Sequence, residues 1–255
     1  MNTLDLHAEE FRQQGFTVFR SVLPPDQVKL MRNLAEGRYR ACVADPPDRD
    51  TLRGGVSLMR AFEFGTAFRD VLALEPVIQV VEALLGDDCH VISQNVLRTP
   101  TGRGIVNWHI DDALFFPFFA DLNIDPKHVP VYSLNVMIAL SDVPTDAFGP
   151  TQVAPGSHLS GRRPERSPDL PAGWEPVSLR AQTGDCYLVN SQTWHRGAQN
   201  ETGRTRYVLT TAYGRRFISQ RFYPFINYTM PPHVLSGAGS RIERLLGAHD
   251  KGPYG

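Results

Sequence analysis

Val106-Asn107-Trp108-His109-Ile110-Asp111 joins a β-forming run to an imidazole and a carboxylate two positions apart. On an extended strand, residues i and i+2 leave the same face, so His109 and Asp111 point the same way. A second imidazole, His195, lies 84 residues after the aspartate, and Arg206 follows it by 11. Two imidazoles and one carboxylate on one side of an ion leave three cis positions open, a facial triad suited to Fe(II) and oxygen. The arginine can pair bidentately with a carboxylate of an iron-bound 2-oxo acid. Asp112 is the rival carboxylate; alternation turns it to the opposite face, so Asp111 is assigned. Alone, His109-Ile110-Asp111 reads more simply as a strand-end histidine beside a solvated turn aspartate, because short motifs arise by chance. The rest of the chain has to decide.

Outward from this stretch the pattern is β. Strands are expected at Cys89 to Arg98, Val106 to Asp111, Val131 to Leu140, Gln152-Val153, Ala181 to Val189 and Arg206 to Tyr213, punctuated by Pro and Gly. Before them the spacing is helical. Residues 4 to 14 carry Leu4, Leu6 and Phe11, and Gly15 ends that helix ahead of a short strand, Phe16 to Phe19. Pro24-Pro25-Asp26 opens a helix with the stripe Val28, Met31, Leu34 and Ala35. Residues 44 to 55 read as loop, and 67 to 85 as one helix closed by Gly86. Helices first and many short strands after predict a mainly β core with flanking helices.

The motifs around the triad are more specific than the triad. Trp108 precedes the first ligand, Gly149-Pro150 leads to Pro155-Gly156-Ser157-His158, and Gly184-Asp185 opens the run to Trp194-His195. This order resembles the phytanoyl-CoA dioxygenase family of Fe(II)/2-oxoglutarate-dependent oxygenases over nearly the whole chain, most specifically over 94 to 216. The resemblance implies a double-stranded β-helix, a cupin-like jelly roll with the metal in one mouth, and His195 on a strand across the barrel. It implies Fe(II), 2-oxoglutarate and O2, with an unactivated C–H bond oxidised, most simply hydroxylated, as succinate and CO2 leave. Desaturation, cyclisation and epimerisation are redirections of the same chemistry. A carboxylate at Asp111 argues against halogenation, which in the family needs Gly or Ala there. The family spacing His-x4-Asn-x5-Arg matches His195, Asn200 and Arg206, so Arg206 rather than Arg204 is the anchor for the distal carboxylate. Asn200 shapes the turn, and His158 is a structural turn residue.

Further polar residues sit where strands should be apolar. Ser133, Asn135 and Met137 share a face, and a buried amide must find partners, either the cosubstrate or backbone. Asn95 joins Ser133 and Asn135 as a candidate for cosubstrate binding, and Gln94 is a candidate for substrate. Ala113 to Phe119 and Arg221 to Tyr228 are aromatic, so Phe115, Phe116 and Phe225 either form a substrate lid or pack as core. Arg53, Arg60 and Arg216 could meet an anion, but in a chain with 23 arginines and three lysines the guess is cheap. A small apolar or polycyclic metabolite of secondary metabolism fits better than an acyl-CoA. His7, His90, His128, His233 and His249 read as surface or loop residues.

Bulk properties agree. At 255 residues and 42% hydrophobic, the chain reads as a single domain: a mainly helical front end (1–88), the β core (89–216) and a C-terminal lid and tail (217–255). A formal charge of −1 offers no footprint for nucleic acid. Cys42, Cys89 and Cys186 are odd in number and unpaired by spacing, as reduced thiols of a cytoplasmic protein are. Neither a signal peptide nor a membrane span is suggested. Two other readings are a metal-dependent cupin-type enzyme without 2-oxoglutarate, and a non-catalytic scaffold, against which the intact triad argues.

Overall fold

The computed structural model describes residues 2–44, 52–53, 57–111, 125–222 and 228–252. Its strands form two antiparallel sheets. The larger runs β1 (Phe16–Phe19), β9 (Cys186–Asn190), β6 (Ser133–Ala139), β11 (Arg206–Gly214), β4 (His90–Thr99), β3 (Ser57–Met59) and β2 (Leu52–Arg53). The smaller runs β5 (Ile105–His109), β10 (His195–Gly197), β7 (Thr151–Val153) and β8 (Val177–Leu179). Face to face they form the jelly roll.

The outer face of the large sheet is covered by helices α1 (Thr3–Gln14), α2 (Pro25–Ala44), α3 (Thr66–Asp70) and α4 (Val77–Leu85). Alternation along β6 explains why a fully buried strand still carries polar residues. Leu134, Val136 and Ile138 enter the core under the helices, while Ser133, Asn135 and Met137 face inward between the sheets. Between the sheets lie a smaller apolar cluster (Met137, Val153, Leu179, Tyr187, Val189, Val208) and a cavity.

α1 is closed at its start by a capping box, Asn2 with Asp5. At its end Gly15 is left-handed (φ 81°), and a Cβ there would stand 2.3 Å from Thr193 Oγ1. In α2, Val28, Met31 and Ala35 are buried as expected, but Leu34 lies on the exposed edge of the stripe and Cys42 replaces it inside.

Several expectations are corrected. The helix expected over 67 to 85 is two helices, α3 and α4, separated by a turn at 71–73 and by Pro76, which has no N–H to donate and biases Glu75 away from helix. The strand expected from Ala181 starts only at Cys186, because Gln182 to Asp185 form a turn with Gly184 at φ 87°. The expected loop over 44 to 55 contains β2, paired with β3, and β8 was missed. Two short helices, α5 (Pro232–Leu235) and α6 (Ser240–Leu245), bury Val234, Leu245 and Leu246 in the helix-side core. Arg69, itself buried, donates to the carbonyls of Val234 and Ser236 and ties this tail down. Of the described residues after 216, Arg221 lines the cavity. Among the described residues, no helix is long and apolar enough to cross a membrane.

Candidate metal centre

β10 lies beside β5 rather than across the barrel from it, and His195 pairs in register with His109. Side chains of directly opposed residues leave the same face, which brings the two rings to 4.3 Å between centroids. Asp111 lies just past the end of β5, its N–H held by the Ser191 carbonyl at 2.9 Å. Its carboxylate stands 3.7 Å from His109 Nε2 and 3.4 Å from His195 Nε2. One donor atom from each of the three residues lies within 4.8 Å of the others. Asp112 lies outside the described residues.

The backbone sets the tautomers. His109 Nδ1 is 2.9 Å from the Asn107 carbonyl and His195 Nδ1 is 2.9 Å from the Thr193 carbonyl. A carbonyl can only accept, so Nδ1 carries the proton in both rings and Nε2 turns its lone pair inward, as metal ligation requires. Burial, then the neighbouring His195, lowers the pKa of His109. Burial works the same way on His195, but the Asp111 charge and hydrogen bond outweigh it and raise its pKa. Asp111 is opposed by burial, yet the two imidazoles and the Arg221 charge hold its carboxyl far below the usual range. When His195 is protonated, Nε2 carries a second proton toward Asp111, and a metal displaces it on binding.

Asn135 supports the carboxylate: its Nδ2 donates to Asp111 Oδ2 at 2.7 Å. Arg206 heads β11 and faces the cavity, and it is buried. Among the described residues its Nε and Nη1 have no hydrogen-bond partner, and Nη2 reaches Thr99 Oγ1 at 3.4 Å. A buried guanidinium in that condition costs stability unless an anion completes it. Arg204, by contrast, is exposed. The cavity holds about 200 Å³, and Ser133 and Asn95 line it with the triad. The donor set fits Fe(II), and the cavity with its unpaired cation fits a small dicarboxylate.

Gln94 is a correction. It lies on the opposite face of β4 from Asn95, is fully buried and donates to the Phe68 carbonyl at 2.9 Å, so it does not reach the cavity. Phe115, Phe116 and Phe225 lie outside the described residues. Asn200 is buried, with Nδ2 bonded to the carbonyls of Thr99 and Arg204, and holds the turn into β11. His158 is buried away from the triad, donates from Nε2 to the Arg12 carbonyl, and burial lowers its pKa to about 4. His90 is not the surface residue expected: it is buried, with its rings' nitrogens 3.2 Å from His249 Nε2 and 2.6 Å from the Ile218 carbonyl. The tautomer-fixing carbonyls and the Asn135 contact were missed, since no sequence signal marks a main-chain acceptor.

Site chemistry of this kind places the protein among non-heme iron enzymes that use a 2-oxo acid. Comparison with known families is more particular: the model of the phytanoyl-CoA dioxygenase (PhyH) family matches residues 11–208, and the chain belongs to that family of iron- and 2-oxoglutarate-dependent oxygenases. The uncharacterized protein Rv1501 of Mycobacterium tuberculosis is 23% identical over 255 residues, which cover 98% of this chain and 88% of the relative. HygX from Streptomyces hygroscopicus, solved with nickel and 2-oxoglutarate, superposes with a TM-score of 0.66 at 16% identity, over 86% of this chain and 89% of that one. The non-heme monooxygenase ThoJ gives 0.64 at 22% identity, over 84% and 78%. The epimerase SnoN, in complex with Fe3+, alpha-ketoglutarate and nogalamycin RO, gives 0.59 at 24%, over 83% of each chain. At these identities the likeness to solved structures is one of fold.

Proposed function

We propose that the protein is a dioxygenase that hydroxylates an unactivated C–H bond of a small-molecule metabolite, with release of succinate and CO2. The observation that carries this reading is Arg206, whose buried, incompletely bonded guanidinium opens on the same cavity as the triad. His109, Asp111 and His195 would hold Fe(II), which with 2-oxoglutarate and O2 supplies the oxidant. Arg206 would bind the distal carboxylate, with Ser133 and Asn95 completing the polar lining. The carbonyls of Asn107 and Thr193 keep protons on Nδ1, and Asn135 keeps Asp111 from rotating away. Apolar walls at Ile92, Leu97 and Met137 exclude water from the reacting carbon.

A second reading redirects the chemistry to epimerisation, desaturation or cyclisation. It takes support from SnoN, described as a non-heme alpha-ketoglutarate-dependent epimerase of nogalamycin biosynthesis, which also favours a role in secondary metabolism.

Anaerobic titration of metal-free protein with Fe(II) and then 2-oxoglutarate tests the reading through the weak visible charge-transfer band of the chelate. The band is expected in wild type, lost with iron in His109→Ala, and lost with iron retained in Arg206→Ala. Iron binding without any band in wild type would remove 2-oxoglutarate from the reading.

A further inference from the structure

The cavity carries more positive charge than the proposed cosubstrate consumes. Arg196, Arg206 and Arg221 line it, and Asp111 is the sole carboxylate among its described lining residues. In the proposed complex, Arg206 is matched by the distal carboxylate of 2-oxoglutarate, while Asp111 and the other carboxylate face the metal.

Arg196 is already engaged. Its Nε donates to Gln152 Oε1 at 2.7 Å, its Nη1 reaches the carbonyls of Val106 and Pro168, and its guanidinium lies 5.1 Å from the Trp108 ring centre. Arg221 differs. Its main-chain N–H is fixed on the Ile92 carbonyl at 2.8 Å, which holds its backbone at the cavity wall. Its residue is exposed, and among the described residues its side chain makes no hydrogen bond or ion pair. A guanidinium with a fixed root and, among the described residues, no partner, lining a cavity whose described residues offer no further carboxylate, is an anion receptor.

Ile92, whose carbonyl holds the Arg221 N–H, is apolar, and Leu97 and Ile105 continue the apolar lining toward Arg206, with Ile105 50% exposed on the edge strand β5. We infer that the substrate carries an anionic group (carboxylate, sulfate or phosphate) on an apolar carbon frame, and that Arg221 binds that group at the mouth. The frame lies against Ile92, Leu97 and Ile105. This refines the small apolar or polycyclic metabolite expected from the sequence. It rests on the proposed function, because the cosubstrate is what occupies Arg206.

Octanoate and its uncharged isostere octanamide test this on the full chain loaded with Zn(II) and 2-oxoglutarate, with binding read by ligand-observed NMR and no turnover required. Wild type is expected to hold octanoate at least about tenfold more tightly than octanamide, the effect of a charge-assisted hydrogen bond. The preference shrinks as salt rises. Arg221→Ala reduces it to less than about twofold, with octanamide and 2-oxoglutarate affinities unchanged, and Arg221→Lys retains part of it. Equal affinities in wild type, no binding of either probe, or a preference that survives Arg221→Ala overturns the inference. So does a variant that loses 2-oxoglutarate but keeps octanoate, since Arg221 then belongs to the cosubstrate. Failure of the underlying function is seen separately, as wild-type protein that takes up Zn(II) but no 2-oxoglutarate.

Discussion

At Arg206 the guanidinium is buried, with Nε and Nη1 unpartnered among the described residues. Such a group is stabilised by its ligand and not by its surroundings. Arg206→Met is therefore expected to raise the melting temperature of the metal-free protein by a few degrees, because an unsatisfied buried charge is replaced by an apolar chain of similar length. The same variant should lose the stabilisation that metal plus 2-oxoglutarate gives wild type, about 2.7 kcal/mol at a hundredfold excess over Kd. A fall in melting temperature of the metal-free variant would count against an unpaired cation. Asn135→Ala removes the amide that donates to Asp111 Oδ2. Metal affinity, measured by competition with a chelator, should drop roughly 10- to 100-fold while the far-ultraviolet circular dichroism stays unchanged. Strand alternation made His109 and Asp111 legible as a pair, while His195 and Arg206 were legible through the resemblance of their spacing to that of a known family. The Asn135–Asp111 bond was not, since it needs the position of β6 relative to the end of β5.

Among elements, the start of β9 shows how a turn fixes a strand. Gly184 is left-handed, and a Cβ there would stand 2.4 Å from the Leu23 carbonyl oxygen, so Gly184→Ala should destabilise by about 1–3 kcal/mol in urea unfolding. The buried Asp185 carboxylate next to it accepts from the main-chain N–H groups of Ser21 and Gln182, each at 2.9 Å, and from Arg20 at 2.7 Å. Burial opposes its ionisation, but these donors prevail and lower its pKa below 3.8. A depressed pKa means stability that is present above the unfolded-state value and lost as pH falls through the folded one. Asp185→Asn should cost about 2 kcal/mol near neutral pH, and its deficit relative to wild type should close as pH drops below 3.8. A deficit independent of pH would show that charge is not what Asp185 supplies. Gly184-Asp185 was visible in the sequence as the start of a strand. Its partners, at Arg20 to Leu23, were not, because they come from the connection after β1. Gln94 failed for a related reason: adjacent positions on β4 look alike in sequence, and the packing of Phe68 decides which face is the helix side.

At the scale of the molecule, the helical layer and the two sheets bury all three thiols, Cys42, Cys89 and Cys186, as free cysteines. Burial pushes the Cys89 thiol up to about 11 and raises that of Cys186 further. None should react with an aromatic disulfide reagent in the native state, and all three should react together on unfolding. Reaction of one thiol under native conditions would place its cover among locally opening segments.

What the amino-acid order determined by itself was the periodicity: a switch from helical to alternating spacing near His90, an imidazole and a carboxylate two positions apart, and a distant imidazole followed by an arginine. Those are properties of local geometry, and they suggested a mainly β core with flanking helices; the jelly roll and the choice of metal ligands came from the resemblance of the surrounding motifs to a known family. The tertiary structure alone decided that β10 lies beside β5, that two main-chain carbonyls fix the imidazole tautomers, and that Asn135 holds Asp111. It also decided that Arg221 shares a cavity with Arg206. These depend on the register between segments far apart in the chain, which packing of the two sheets sets and no local pattern encodes.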